Sequence, residues 1–461
     1  MTPNANVAIY RLGLSLACLG MALGVAACGD TPSSPSVNAV AARGSASTDP
    51  TVTSVSPVDA PRNITLDLTV NGSGFDRGTV VDLEAGNVPA SGITTNATRF
   101  VNSKQLVANI TIAADAVPER YDVAVTTTNG KRGIGVERFE VLSVLDLGTL
   151  NGAQLFWGDG INNQGHVIGT AYPSSFFWSA SGGAEALQPG LYNTDYGIND
   201  ADEVVGTTCG LPPPTDPLAP SCTYYGVLWR RTAAGSWAVT RITGDRGTAM
   251  DINNLGQIVG NDPGPTLWTP AGSGFTRQAL PIPPGRASIS IRDINNSGQA
   301  TGGDVLWSLE AGGAITTTLL PAPVGTSSPF GSHLSDVYGS DELVVVGSTD
   351  LRGHRQPVRW WLRRQNGVWK VSRVESLASP NKTTTSNGLA LWVNATGDAV
   401  GYVFSVAGVA QPVRWWANGT AVVLEHPKGR HSQAKAINDQ GWITGYVSFG
   451  NEGNHALIWR Q

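Results

Sequence analysis

Seven copies of a short pattern, Ile-Asn-x-x-Gly-x-apolar-x-Gly, run through the last two thirds of the chain, and each is trailed by a tryptophan. Good copies span Ile161–Gly169, Ile198–Gly206 and Ile252–Gly260, with further copies opening at Ile294 and Ile437 and weaker ones at Val337 and Val393. The trailing residues are Trp178, Trp229, Trp268, Trp307, Trp360, Trp415 and Trp459. Six periods separate Ile161 from Ile437, a mean of 46 residues, within the range of propeller blades. Asn-x-x-Gly between two apolar strands is hairpin chemistry, because Asn caps its own backbone and Gly takes the positive-φ position. A third strand ends at the Trp and a fourth follows, which makes four strands per repeat, or one blade.

The chain ends two residues after Trp459, so the last repeat lacks a fourth strand. Val144–Leu150, just ahead of the first repeat, is a spare strand that can complete the last blade and remove an open edge. Seven of the fourteen Trp occupy one repeat position, as packing between blades requires. Trp237, Trp361, Trp369 and Trp416, with Tyr224 and Tyr225, are left as candidates for an exposed ligand surface.

The first 27 residues carry one charge, Arg11, ahead of an apolar run from Leu12 to Ala27 that is too short to span a bilayer as a helix. That run ends in Val25-Ala26-Ala27-Cys28, which resembles a bacterial lipobox. The resemblance implies cleavage before Cys28, lipid on its sulfur, and attachment to a membrane. Gly29, rather than Asp, after the Cys points to the outer membrane or cell surface. Residues 28–49 are Ser, Pro, Ala, Thr and Gly with almost no large apolar residue, a flexible tether. In the folded part only Cys209 and Cys222 remain, flanking a Pro-rich loop, a spacing suited to a short-range disulfide after export.

Residues 50–142 hold short alternating runs such as Ile64–Val70, Leu106–Ile112 and Tyr121–Val125, the pattern of a small sandwich. Val52-Thr53-Ser54-Val55-Ser56-Pro57, the turn Gly72-Ser73-Gly74-Phe75 and the strand beginning Pro118-Glu119-Arg120-Tyr121 resemble the IPT/TIG immunoglobulin-like domains. That family's domains commonly serve as spacers or docking modules. Over residues 143–461, His455-Ala456-Leu457-Ile458-Trp459 and Asp146-Leu147-Gly148-Thr149-Leu150 resemble the bacterial HAF repeats of exported proteins, a family that fixes no activity. The expected fold is all-β, a small immunoglobulin-like sandwich followed by a roughly seven-bladed β-propeller.

Chemistry is sparse. Charged residues are 14% of the chain, against about 25% in typical domains. A net charge of −5 argues against nucleic acid as a partner. The six His show no metal-ligand spacing, and nucleophile-elbow, P-loop and dinucleotide motifs are missing. Each turn offers at most two Asn and at most two Asp, too few carboxylates for a calcium loop. Asp251, Asp293 and Asp336 look like one recurring structural position. No catalytic residue, metal or cofactor is assigned. The expected role is a cell-envelope lipoprotein that binds or scaffolds a glycan or protein. The alternative is a propeller glycosidase or lyase, which a carboxylate pair facing the central channel would favour.

Overall fold

The structure is a computed structural model that describes residues 49–171, 174–188, 193–209, 223–310, 312–336, 341–380, 387–450 and 453–460. The signal region, Cys28 and its tether, Cys222, most of the Pro-rich loop and Val337 lie outside the described residues. Those described form an all-β chain with no α-helix.

The chain begins with two packed layers. Thr51–Ser56, Ile64–Ser73, Gln105–Ile112 and Ile93–Asn102 make one four-stranded sheet. Val80–Ala85, Arg120–Thr126 and Arg132–Asp146 belong to a larger eight-stranded sheet. Strict alternation over Gln105–Ile112 sends Leu106, Ala108, Ile110 and Ile112 into the core between the layers, where they meet Val123, Val125 and Phe139. Tyr121 closes a corner, its hydroxyl donating to the Val117 carbonyl at 2.8 Å. Ile64–Val70, Leu106–Ile112 and Tyr121–Val125, expected as strands from sequence, are strands.

Six four-stranded antiparallel meanders follow, each of the size and order of a propeller blade. The first is Trp157–Ile161, Val167–Ala171, Ser174–Ser179 and Gly183–Ala186. The seventh repeat supplies only three strands: Ser432–Ile437, Ile443–Ser448 and Asn454–Trp459. Its fourth is the end of Arg132–Asp146, with Leu145 opposite Ile458 and Asp146 opposite Leu457. The closing strand was expected to be a spare segment, Val144–Leu150. Instead it is the tail of a 15-residue strand that first serves the N-terminal layers, and Thr149–Leu150 turns away into a small hairpin with Ala153–Gln154.

All seven repeat Trp are buried. Trp307, Trp360, Trp415 and Trp459 each donate Nε1 to a backbone carbonyl just after the fourth strand, at 2.6–2.7 Å. The indole therefore ties the third strand of one sheet to the exit of the preceding sheet's fourth strand, while its ring fills the core between them.

Around the axis the repeat Asn residues link neighbouring sheets. Asn162 Nδ2 donates to the Asn199 carbonyl, Asn199 to Asn253, Asn253 to Asn295 and Asn295 to Ser335. Asn394 donates to Asn438, and Asn438 returns to Asn162 at 2.9 Å across 276 positions. Each Asn Oδ1 also caps its own turn, as in Asn253, which accepts from Leu255 and Gln257. A single side chain thus shapes the hairpin and welds it to the next sheet.

Two repeats depart from the expected pattern. The fifth is in register on Leu334-Ser335-Asp336 rather than on Val337: Ser335 N donates to Val344 O as Asn162 N does to His166 O. Its turn is longer, and Ser replaces Asn, so the sequence signature fades there. In the second repeat Asp202 takes the Gly place at φ 59°. Asp tolerates that conformation, and its carboxylate accepts from Asn162 Nδ2 and lies 2.7 Å from His166 Nδ1.

Candidate functional site

Each inner strand carries one residue just before the repeat's Ile position, and this column builds the site. Through the seven repeats it reads Gly160, Gly197, Asp251, Asp293, His333, Trp392 and Ala436. Three repeats are small there, and four consecutive ones bring carboxylates, an imidazole and an indole. Asp251, Asp293, His333 and Trp392 line an axial cavity of ≈ 110 Å³. That is room for a few waters or for one polar group of a larger ligand.

The column's spacing lets the groups touch. Asp251 Oδ2 accepts from Ile294 N at 3.0 Å, and Asp293 Oδ2 accepts from Leu334 N at 2.6 Å, so each carboxyl caps the next sheet's inner strand. The other oxygens meet neighbours: Asp251 hydrogen-bonds Asp293, and Asp293 Oδ1 lies 3.0 Å from His333 Nε2. His333 stacks on Trp392, with ring centroids 3.5 Å apart. Gly197 makes room for this row, because a Cβ there would fall 2.2 Å from Asp251 Oδ1 and 2.8 Å from Asp251 Cα.

Electrostatics follow from burial of two carboxyls side by side. Desolvation first, then the Asp293 charge, holds Asp251 well above the ordinary carboxylate range. Asp293 is pushed up to about 7, mainly by burial, against the opposing hydrogen bond from Asp251. Burial also pushes His333 down to about 3, so its imidazole is neutral at physiological pH. The neutral ring donates from Nε2 to Asp293, which leaves Nδ1 buried and without a partner. The cavity therefore offers one carboxyl held well above the ordinary range, a second that titrates near neutrality, and a free ring nitrogen. Such a set can exchange hydrogen bonds with hydroxyls or act as acid and base on a bound group.

The cavity's mouth is ringed by the residues that follow each repeat Asn. Asn163 N donates to Asp200, Asp200 N to Asn254, Asn254 N to Asn296, and Asn296 N to Asp336. Ala395 N donates to Asp439, and Asp439 N donates to Asn163. Asp336 thus belongs to this ring and not to the Asp251–Asp293 column, which corrects its grouping with them. The shift follows from the fifth repeat's register on Leu334. Among the described residues no group of three or more His, Cys, Asp or Glu side chains is arranged to hold a metal ion.

The aromatic residues singled out from sequence lie elsewhere. Tyr224, Tyr225 and Trp237 sit in the second repeat. Arg241 lies 4.3 Å over Tyr225, Arg231 lies 4.2 Å over Trp237, and Tyr224 is exposed. Trp361 is flanked by Arg359 and Arg373, Trp416 lies under Arg414, and Arg359 Nη1 reaches the Trp416 carbonyl. Trp369 is 2% exposed and packs with Trp360, so it belongs to the core and offers no surface. None of the six lines the axial cavity. Cys209 is buried at a strand end and disulfide-bonded, and its expected partner, Cys222, lies outside the described residues.

The sequence held a signal for the axial column. Reading the residue before each Ile down the repeats separates Gly, Gly and Ala from Asp, Asp, His and Trp. Setting repeat five on Val337 hid His333 from that column.

No family model matches the chain, and no curated protein matches it. Among solved structures it is similar to the extracellular domain of a hybrid two-component system from B. thetaiotaomicron, at 12% identity and a TM-score of 0.28, over 66% of this chain and 52% of that one.

Proposed function

We propose that the chain is an exported cell-envelope lipoprotein, anchored through lipid on Cys28, that binds a glycan or a protein at the outer membrane or cell surface. In this reading residues 50–142 form an IPT/TIG-type spacer, and residues 143–461 form a seven-bladed propeller of HAF-type repeats with the ligand site on its axis. The observation that carries it is the axial column, in which four consecutive repeats replace small residues with Asp251, Asp293, His333 and Trp392 around one polar cavity. A purely architectural axis has no need of a ring nitrogen left unpaired beside two adjoining buried carboxyls, since unpartnered buried polar groups are costly.

A thermal-shift screen against envelope glycan fragments tests the reading. A ligand at a hundred times its Kd adds about 2.7 kcal/mol, a clear rise in melting temperature. A rise that disappears in Asp293→Asn places the ligand on the axis. If no fragment shifts the wild type, the glycan limb of the reading is lost.

The Asp251–Asp293 pair favours a second reading, a propeller glycosidase or lyase in which Asp251 is the acid and Asp293 the base. New reducing or unsaturated sugar ends released from a bound glycan, and abolished by Asp251→Asn, support it. A bound glycan left intact excludes it.

A further inference from the structure

The end of the axis opposite the Asn turns carries a second convergence of side chains. Every inner strand with a complete ladder is bulged one residue before the axial column, and the bulged residues of repeats one and seven are Asp159 and Lys435. Their charges pair at 3.9 Å, and Thr170 Oγ1 donates to Asp159 at 3.4 Å. Both side chains remain partly open to solvent, at 24% and 30%. Register sets aromatic rings beside them: Trp157 pairs with Thr170, Tyr446 with Gln433, and Tyr402 with Leu389 in the sixth repeat. Trp157 stands edge-on to Tyr446 at 6.4 Å and beside Phe156 at 6.1 Å, while Tyr402 stands edge-on to Phe404 at 5.6 Å.

Trp157 is 37% exposed, and the other four rings are half-buried. Neither phenol hydroxyl of Tyr402 or Tyr446 has a hydrogen-bond partner among the described residues. Burial, then Tyr402 and Asp159, pushes Tyr446 up to about 12, so it stays a neutral donor. The rim is thus one exposed indole, Trp157, beside half-buried rings that lead to a carboxylate–ammonium pair, with two phenols free to bond.

We infer that this rim, formed by Trp157, Tyr446, Tyr402, Asp159 and Lys435, is a binding site for a neutral oligosaccharide of pyranose units. Pyranose rings present an apolar C–H face to an aromatic ring and hydroxyls at their edges, which matches the alternation here. The Asp159–Lys435 pair carries no net charge, so a neutral sugar needs no countercharge there. The inference rests on the binding-module reading above and adds a second site to it, separate from the axial cavity.

Calorimetric titration of the full chain in detergent with maltohexaose, cellohexaose and laminarihexaose tests it. At least one hexaose is expected to bind, with affinity about tenfold weaker in Trp157→Ala and about fivefold weaker in Tyr446→Phe, the losses of a stacking face and of one hydrogen bond. Tyr446→Phe keeps the ring and its packing, so its loss of affinity does not reflect unfolding. No binding by any of the three hexaoses overturns the inference. Wild-type affinity in both rim variants does so too. If Asp293→Asn alone weakens binding, the rim assignment is wrong and the axial reading stands.

Discussion

His455 Nδ1 lies 2.6 Å from Asp146 Oδ2, a buried contact between residues 309 positions apart. Asp146 ends the strand that completes the seventh sheet, and His455 is the second residue of the strand it pairs with. Asp146 also accepts from Gly148 N at 2.7 Å, which turns the chain out of the closing strand towards the first repeat. One carboxylate therefore sets the last strand and launches the first sheet, at the seam where the two ends of the repeat array meet.

Removing His455 leaves that carboxylate buried without its partner. His455→Ala is expected to cost about 3 kcal/mol, the scale for leaving a buried carboxyl without its hydrogen-bond partner. Urea unfolding checks the magnitude. Proteolysis checks the place, because Asn454–Trp459 and the segment after Asp146 become the first cleavage sites.

The inter-sheet Asn links predict a contrast between adjacent residues. Asn253 is 3% exposed, and its side chain makes four hydrogen bonds, to Leu255, Gln257 twice and Asn295. Asn253→Ala strands buried donors and acceptors and is expected to cost about 3 kcal/mol, whereas the exposed Asn254→Ala costs about 1 kcal/mol or less. Thermal melts of the two variants side by side test the difference. Equal losses contradict the role assigned to Asn253.

Arg359 is fully buried between the fifth and sixth sheets, where it donates to Glu375, Gly397 O and Trp416 O. Arg359→Met keeps the aliphatic stem but removes three donated hydrogen bonds. Trp416 O keeps Gly419 N and Glu375 keeps Trp361 Nε1, while Gly397 O loses its side-chain donor. The expected loss is about 3 kcal/mol, read as a lowered urea midpoint with an unchanged m-value.

Much of this was legible from the repeat. The Ile-Asn-x-x-Gly hairpins, the buried Trp and the need for a borrowed closing strand all follow from local periodicity and an incomplete last unit. The axial site was not legible, because its members are distant in sequence and its fifth member sits beside a turn in which Ser335 replaces Asn. Periodicity cannot number a repeat whose turn has lengthened. Candidate ligand aromatics chosen for leaving the repeat pattern, such as Trp237 and Trp361, are ones that Arg side chains cover, since an indole outside the core still gains from a cation over its face. Trp157 and Tyr446, which carry the open faces, attracted no notice because they lie inside ordinary strands.

The Asp251–Asp293 pair makes stability depend on pH. Folding raises Asp293 from the ordinary carboxylate range to about 7. Its stabilising contribution is present at low pH and lost as pH rises through about 7. His333 runs the other way, since burial lowers it to about 3, and its contribution is complete above its ordinary value and lost as pH falls. Asp293→Asn removes the first titration and keeps an acceptor for Leu334 N. Relative to wild type, this variant is expected to gain on the order of 1–3 kcal/mol between pH 5 and pH 8, measured by urea unfolding at both. A constant difference across that range contradicts the buried-pair assignment.

The most direct measurement is the thermal-shift screen run in parallel on wild type, Asp293→Asn and His333→Ala with the same envelope glycan fragments. The account predicts at least one fragment that raises the wild-type melting temperature and leaves both variants unmoved, because the ligand's polar end sits among Asp251, Asp293, His333 and Trp392. Fragments that shift all three proteins equally, with none that separates them, contradict the claim that the axial column is a binding site.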